Sequence, residues 1–287
     1  MSDFIDLHVH TTASDGTLTP EQVVQLAKQT GLAALAITDH DTTAGVPEAL
    51  ETGRELEIEV IAGVELSVVH ERCGSLHILG YYIDPRHPDL GEKLEAMRDG
   101  RDERNLEILE KLRQLGMQLD LHKVKARAGG QVIGRPHMAQ ELLALGHVSS
   151  IKEAFDRFLA RGKPAYAERK RMTPPEAIQR IRNASGVAVL AHPGLLPLAT
   201  DALETELAEL AEQGIQGLEV HYPEHSPADT RRFLELAKKH NLVITGGTDF
   251  HGDNKPDIKL GQNQVPLELL ENLRAKRQIP SPHAGEG

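Results

Sequence analysis

Two histidines open the chain's chemistry. In Asp6-Leu-His-Val-His-Thr-Thr-Ala-Ser-Asp-Gly16, Leu7 and Val9 alternate with Asp6, His8 and His10. That is the period of a β-strand, so both imidazoles leave the same face and can share one metal ion. Asp15 follows with Gly16, a turn pair that can aim a carboxylate back at them. Further candidates sit at or just past the ends of apolar stretches. His40 follows Ala33–Ile37, Glu65 follows Ile58–Val64, and His192 follows Val187–Ala191. Asp249 and His251 follow the stretch from Leu242, and His77 lies at the start of Leu76–Tyr81. The donors are imidazole and carboxylate with no thiolate. Mg²⁺ and Ca²⁺ sites are built mainly from oxygen, whereas this mixture suits Mn²⁺, Fe²⁺ or Zn²⁺. Several such ions held together lower the pKa of a shared water and neutralise phosphoryl oxygens, which is the chemistry of phosphoester hydrolysis. The chain has no Gly-x-Ser-x-Gly nucleophile elbow and no Walker phosphate loop, so serine hydrolase and NTPase chemistry are set aside.

Such a cluster needs a scaffold that delivers strand ends to one place. Thr19-Pro-Glu-Gln22 has the form of a capping box and starts a helix that Gly31 stops. Thr173-Pro-Pro-Glu176 repeats the signature, and Gly186 ends that helix. About seven mostly apolar strands alternate with helices, which predicts a parallel sheet buried on both faces with its site at the strands' carboxyl ends. From about Leu90 the alternation lapses. Glu92–Leu115 reads as one long helix, followed by shorter ones near Leu119–Ala128, Arg135–Leu145 and Ser150–Ala160, with Gly129-Gly130 between two of them. A final helix is expected over Pro266–Arg277, and residues 280–287 are expected to be disordered. The expected division is a metal-binding barrel over 1–95 and 168–287, interrupted by a helical substrate-binding insertion over 96–167.

The 287 residues carry a net charge of −11, with aromatics at only 3% and no tryptophan, which argues against a general nucleic-acid coat. The charge is unevenly spread. Residues 96–171 hold 16 Lys+Arg against 10 Asp+Glu, leaving −17 for the remainder. A basic segment in an acidic body points to an anionic substrate handled by that segment. One cysteine, no bilayer-length apolar run and no basic-then-apolar leader before the first strand set the expectation of a cytoplasmic protein with no membrane partner. No obligate protein partner is evident.

Asp6-Leu-His-Val-His-Thr, Ile37-Thr-Asp-His-Asp41, Gly63-Val-Glu65, Ala191-His-Pro193 and Thr248-Asp-Phe-His251 resemble, in order and spacing, the motifs of the PHP (polymerase and histidinol phosphatase) family. The resemblance implies a distorted (β/α)₇ barrel, TIM-like, with a helical insertion forming a lid, and two or three divalent ions, Mn²⁺ foremost. One ion would take His8, His10, Glu65 and Asp249. A second would share Glu65 and add His77 and His192. A third would use Asp15, His40 and His251. Many family members have histidine where this chain has Asp15, so the third site is expected to be weaker or differently selective. Asp15, His192 and Asp249 are the residues expected to carry catalysis through the metal-activated water. Asp6, Asp39 and Asp41 are read either as partners orienting imidazoles or as strand-end solvation.

The insertion, Ile133-Gly-Arg-Pro-His137 and Gly162-Lys-Pro-Ala-Tyr166 resemble the branch of 3′,5′-nucleoside bisphosphate phosphatases, some of which act as 5′→3′ exonucleases on short RNA. Arg101, Arg104 and Asn105 share a helical face. Arg104 and Arg135 are read as phosphate clamps and Asn105 as a reader of an adenine edge, with Arg101 a solvated position. Asp102 is a candidate acceptor from a sugar hydroxyl. Lys163 and Tyr166 are candidates for the returning edge of the lid, and His137 either contacts phosphate or caps a helix. The activity expected is removal of the 3′-phosphate from a nucleoside 3′,5′-bisphosphate. Trimming of short RNA, histidinol-phosphatase-like hydrolysis and a non-catalytic accessory module are the alternatives.

Overall fold

Short turns decide how the strands of this chain pair. In the computed structural model, which describes residues 3–128, 133–168 and 171–277, the chain falls into two units, residues 1–93 with 171–287 and residues 94–170. Gly129-Gly130 and residues 280–287 lie outside the described residues.

The first unit is α/β. Its strands are β1 (Phe4–Val9), β2 (Ala34–Ile37), β3 (Glu59–His70), β4 (Gly74–Tyr81), β5 (Val187–Leu190), β6 (Gly217–His221), β7 (Val243–Gly246) and β8 (Val265–Pro266), in the order β7-β6-β5-β4-β3-β2-β1-β8. Parallel pairing joins β1 to β2, β2 to β3, β5 to β6 and β6 to β7. The sheet is not all parallel, however. Only residues 71–73 separate β3 from β4, too few for a crossover, so the two form an antiparallel hairpin with His77 opposite Ser67. β4 is therefore also antiparallel to β5, and the short β8 lies antiparallel to β1. The ends of the sheet meet at one point. Phe250 N–H donates to the His8 carbonyl at 3.3 Å and His10 N–H to the Phe250 carbonyl at 2.9 Å, nearly closing the barrel.

Helices cover it. α1 (Pro20–Thr30) begins with the capping box, Thr19 accepting from Gln22 N and Gln22 accepting from Thr19 N, and ends at Gly31 with φ 77°. α2 (Val46–Glu55) lies beside it in sequence. Alternate residues of β2 serve two cores. Ala34 and Ala36 join Ile5, Leu7 and Ile61 with Leu269, Leu270 and Leu273 of the last helix. Leu35 and Ile37 join Val23, Val24 and Ala27 of α1 and Val46 and Ala49 of α2. A strand buried on both faces reads as a continuous apolar run, as this one does.

α3 (Pro88–Gln114) leaves the first unit at Lys93. With α4 (Leu121–Ala128), α5 (Arg135–Ala144) and α6 (Ile151–Ala154), which runs into a π-helical turn over Phe155–Leu159, it builds the second unit. That unit contains no strand among the described residues, and its core gathers Ile108, Leu112, Met138, Leu142 and Leu159. The barrel resumes with α7 (Pro174–Asn183), α8 (Thr200–Glu212), α9 (Pro227–Lys239) and α10 (Glu268–Ala275). The final helix is shorter than Pro266–Arg277 because Val265 and Pro266 are drawn into β8. No helix among the described residues is long and apolar enough to cross a membrane.

Candidate metal centre

All nine candidate ligands belong to the first unit and converge. Glu65, buried in β3, is the hub. Its Oε1 is 2.8 Å from His77 Nδ1 and 3.0 Å from His192 Nε2. Its Oε2 is 3.0 Å from His40 Nδ1, 3.2 Å from His10 Nε2 and 3.3 Å from His8 Nε2. Asp249 Oδ1 is 3.1 Å from His10 Nε2 and 3.5 Å from His8 Nε2. Asp15 Oδ1 is 3.2 Å from His251 Nε2, and its Oδ2 is 3.7 Å from His40 Nε2. Three overlapping sets thus offer one donor atom each within 4.8 Å of one another: His8, His10, Glu65 and Asp249; His40, Glu65 and His77; and His10, Asp15, His40 and His251. The third set adds His10 to the grouping implied by resemblance. His192 lies outside these sets, joined to the cluster through Glu65. His77 is delivered by the antiparallel β4 and comes from that strand's first half, Glu65 lies in the middle of β3, and the remaining candidates sit near or past the carboxyl ends of their strands.

The backbone is shaped for this. His192 and Asp249 hold φ of 28° and 55°, which non-glycine residues seldom adopt, and such departures gather at functional sites. Gly247 permits β7 to meet β1, since a Cβ there would stand 2.4 Å from His8 Cβ.

The electrostatics call for cations. Burial alone would raise Glu65, but His40, His77 and His8 outweigh it and hold the carboxyl well below the usual carboxylate range. Burial would depress His10, yet Asp249 and Glu65 overcome it and hold its pKa up at about 10. For His77 and His251 burial prevails and the pKa falls. Four buried donor atoms, His8 Nε2, His10 Nε2, His40 Nδ1 and Glu65 Oε2, have no hydrogen-bond partner. Buried lone pairs are seldom left bare, and divalent cations in the overlapping sets would satisfy them. The residues present therefore fit a metal centre of mixed nitrogen and oxygen donors.

Around the cluster stand groups that sequence reasoning passed over. Glu219, fully buried in β6, accepts from His8 Nδ1 at 2.9 Å and from His192 N at 2.7 Å. Its signal was a carboxylate inside the apolar stretch Gly217–Val220. Tyr222 O–H donates to Asp249 Oδ2 at 2.9 Å, and Lys255 Nζ donates to the same oxygen at 2.6 Å. Ser14 Oγ donates to Asp39 at 2.6 Å and lies 3.2 Å from Asp15 Oδ1. These loop residues carried no pattern to find them by. Asp6 accepts from the His8 backbone N–H at 3.3 Å, and Asp39 reaches His10 only through Ser14, so neither bonds an imidazole nitrogen directly. Asp6 accepts from Thr248 N and Oγ1 and from Gly261 N, while Asp39 accepts from Thr11 N and Oγ1. They brace the loops, and Glu219 is the carboxylate that orients an imidazole.

The candidate substrate residues lie in the second unit. Along α3, Arg101 and Asn105 are buried, Arg104 is half-buried and Asp102 is exposed. Arg101 is thus not the solvated position expected, because it falls on the stripe continued by Ile108 and Leu112. Asn105 Nδ2 donates to the Ile133 carbonyl at 3.1 Å, and its Oδ1 has no hydrogen-bond partner among the described residues. Arg135 donates to the Leu159 carbonyl at 3.1 Å, with its guanidinium 5.4 Å from the centre of the Tyr166 ring. His137 Nδ1 accepts from Gly134 N at 3.1 Å, which caps α5. Lys163 is exposed, and the Tyr166 carbonyl accepts from Lys111 Nζ at 2.6 Å.

An imidazole and carboxylate cluster at one end of a distorted barrel defines a metal-dependent hydrolase. Comparison with known proteins gives the family. A model of the PHP domain matches residues 6–168. The 5′-3′ exoribonuclease Rnm of Escherichia coli is 39% identical over 259 residues, 90% of this chain and 88% of that protein. A 3′,5′-nucleoside bisphosphate phosphatase of Chromobacterium violaceum is 34% identical over 273 residues, 92% of this chain and 93% of that protein. A crystal structure from Bifidobacterium adolescentis, assigned as a metal-dependent phosphoesterase, superposes with a TM-score of 0.78 at 32% identity, covering 96% of this chain and 97% of that one. The chain belongs to the PHP family of metal-dependent phosphoesterases.

Proposed function

We propose that the protein removes the 3′-phosphate from nucleoside 3′,5′-bisphosphates, releasing a 5′-nucleotide and phosphate. The observation that carries the hydrolytic part is the convergence of three buried imidazole nitrogens, of His8, His10 and His40, on Glu65 Oε2 at 3.0–3.3 Å. Two or three divalent ions, Mn²⁺ foremost, would supply Lewis acidity and a water acidic enough to attack phosphorus near neutral pH. His8, His10, Glu65 and Asp249 are assigned to one ion, Glu65, His77 and His192 to a second, and Asp15, His40 and His251 to a third. The protein's own part is to present lone pairs. His8 Nδ1 is committed to Glu219 and His251 Nδ1 to the Asp249 carbonyl at 2.7 Å, which leaves both Nε2 atoms free to ligate.

The choice of substrate is supported by the Chromobacterium relative's name and by the excess of cations over residues 96–171. Arg135 and Arg104 are assigned to the non-reacting phosphate, Asn105 to the base and Asp102 to the sugar. His137 is assigned to capping instead. A second reading, 5′→3′ trimming of short RNA, is favoured by the Escherichia coli relative.

Phosphate release with Mn²⁺ from adenosine 3′,5′-bisphosphate, 3′-AMP, 5′-AMP and a short 5′-phosphorylated RNA separates the two. Fast release from the bisphosphate that leaves 5′-AMP, with slow release from both monophosphates, supports the first reading. Faster shortening of the RNA, with a steeper fall as salt rises, moves the assignment to the second. Arg135→Ala should raise KM for the bisphosphate far more than for an aryl phosphate, and equal effects would remove Arg135 from that role.

A further inference from the structure

Lys255 belongs to none of the motifs above and none of the three ligand sets, yet it is seated on a ligand. Asp249 divides its two oxygens. Oδ1 faces His8 and His10, while Oδ2 accepts from both Tyr222 Oη and Lys255 Nζ. An ammonium has three N–H donors, and Asp249 takes one. The Lys255 side chain is 38% exposed, whereas Asp249 and its neighbours His8, His10 and Tyr222 are buried.

A lysine at a surface margin ordinarily wanders, because an exposed ion pair scarcely repays the side-chain entropy it costs. Here the backbone beneath it is latched to the loop of Asp15. Lys255 N–H donates to the Gly252 carbonyl at 3.1 Å, and Asp253 N–H to Thr17 Oγ1 at 2.9 Å. Asn254 Nδ2 donates to the Asp15 carbonyl at 2.7 Å, and Thr17 N–H to the His251 carbonyl at 3.1 Å. Gly252 makes the latch possible, with φ +64° and no room for a Cβ, which would stand 2.1 Å from Thr17 Oγ1.

We propose that Lys255 is a substrate-binding residue that donates to a phosphoryl oxygen at the metal centre. The inference rests on the phosphoester reading above and adds a contact from the first unit. A phosphoryl group held over the donors of Asp249 comes within reach of an ammonium already fixed on that carboxylate. Tyr222 keeps Oδ2 satisfied when Lys255 shares its protons with substrate. A point charge with rotatable donors suits a phosphoryl group whose oxygens move during displacement.

Inorganic phosphate, the product, is the probe. Phosphate binding is measured by calorimetry on wild type, Lys255→Met and Lys255→Arg, each loaded with Mn²⁺ and assayed for metal content. Lys255→Met should bind phosphate roughly tenfold to a hundredfold more weakly with metal content unchanged, as for loss of one charge-assisted hydrogen bond. Lys255→Arg should recover part of the loss. Phosphate binding equal to wild type in Lys255→Met overturns the proposal. So does loss of metal in that variant, which would make Lys255 a positioning residue for Asp249. If wild type binds phosphate no better with Mn²⁺ than without, the phosphoester reading fails and takes this inference with it.

Discussion

Whether a side chain in a metal cluster can ligate depends on what holds its other polar atoms. Glu219 shows this for an imidazole. It is buried, touches His8 Nδ1 and His192 N, and reaches none of the unpartnered donors. Replacing it by glutamine preserves shape but weakens the bond that sets the His8 tautomer. Glu219→Gln should therefore lose about tenfold to a hundredfold in metal affinity, read by competition with a chromogenic chelator. An unaltered affinity would show that His8 is held some other way. Asp15 makes a narrower prediction. It pairs only with His10, His40 and His251 among the nine, and its side chain is 36% exposed. Asp15→Ala should bind one metal equivalent fewer than wild type by elemental analysis, leaving the ions held by Glu65 in place. Loss of all metal would mean that the sets do not fill independently.

At the level of elements, the centre depends on how closely two strand ends approach. β1 and β7 are bridged where Phe250 pairs with His8 and His10, and Gly247 is the residue that lets them meet. Gly247→Ala forces a methyl group against the His8 backbone, whose nitrogen is also 2.4 Å from the added Cβ. Overpacking of this kind costs about 1–3 kcal/mol, which lowers the melting temperature of a domain this size by roughly 2–12 °C. Because the strain falls on a ligand-bearing strand, metal affinity should fall with it. A variant that melts and binds metal like wild type would refute this account of the barrel's closure. The β3–β4 hairpin plays a complementary part. Reversing direction after His70, it brings His77 to Glu65 from the strand opposite, which an all-parallel sheet would not do.

For the whole molecule, the metal is expected to be part of the folding equilibrium. Buried Glu65 and Asp249 are held ionised by imidazoles, and unpartnered lone pairs remain. An ion that binds only the folded chain at a hundred times its dissociation constant adds about 2.7 kcal/mol. That corresponds to roughly 5–11 °C in melting temperature for a domain of this size. Chelation should therefore lower the melting temperature and Mn²⁺ restore it, read by thermal scanning. An identical transition in both states would argue against a structural stake for the ion.

The nine candidate ligands were legible because each announces itself locally. His-x-His on an alternating strand, or a carboxylate closing an apolar run, is a departure from pattern that needs no knowledge of the fold. The alternation of strand and helix is likewise local, so the α/β class and the helices α3 to α6 could be read from periodicity, while the barrel followed from the family resemblance. The antiparallel hairpin was missed because strand direction depends on the length of the connecting turn, and Glu71-Arg-Cys73 carries no marked turn pair. The partners of the ligands were hidden for a deeper reason. Glu219 meets His8 across 211 residues, and Lys255 reaches Asp249 through a loop whose shape depends on Thr17 and Asp15 from the other end of the chain. Which atoms could bind metal was written in residue types and spacing. Which lone pair each imidazole presents, and which charge stands beside Asp249, was decided only when distant strand ends closed on one another.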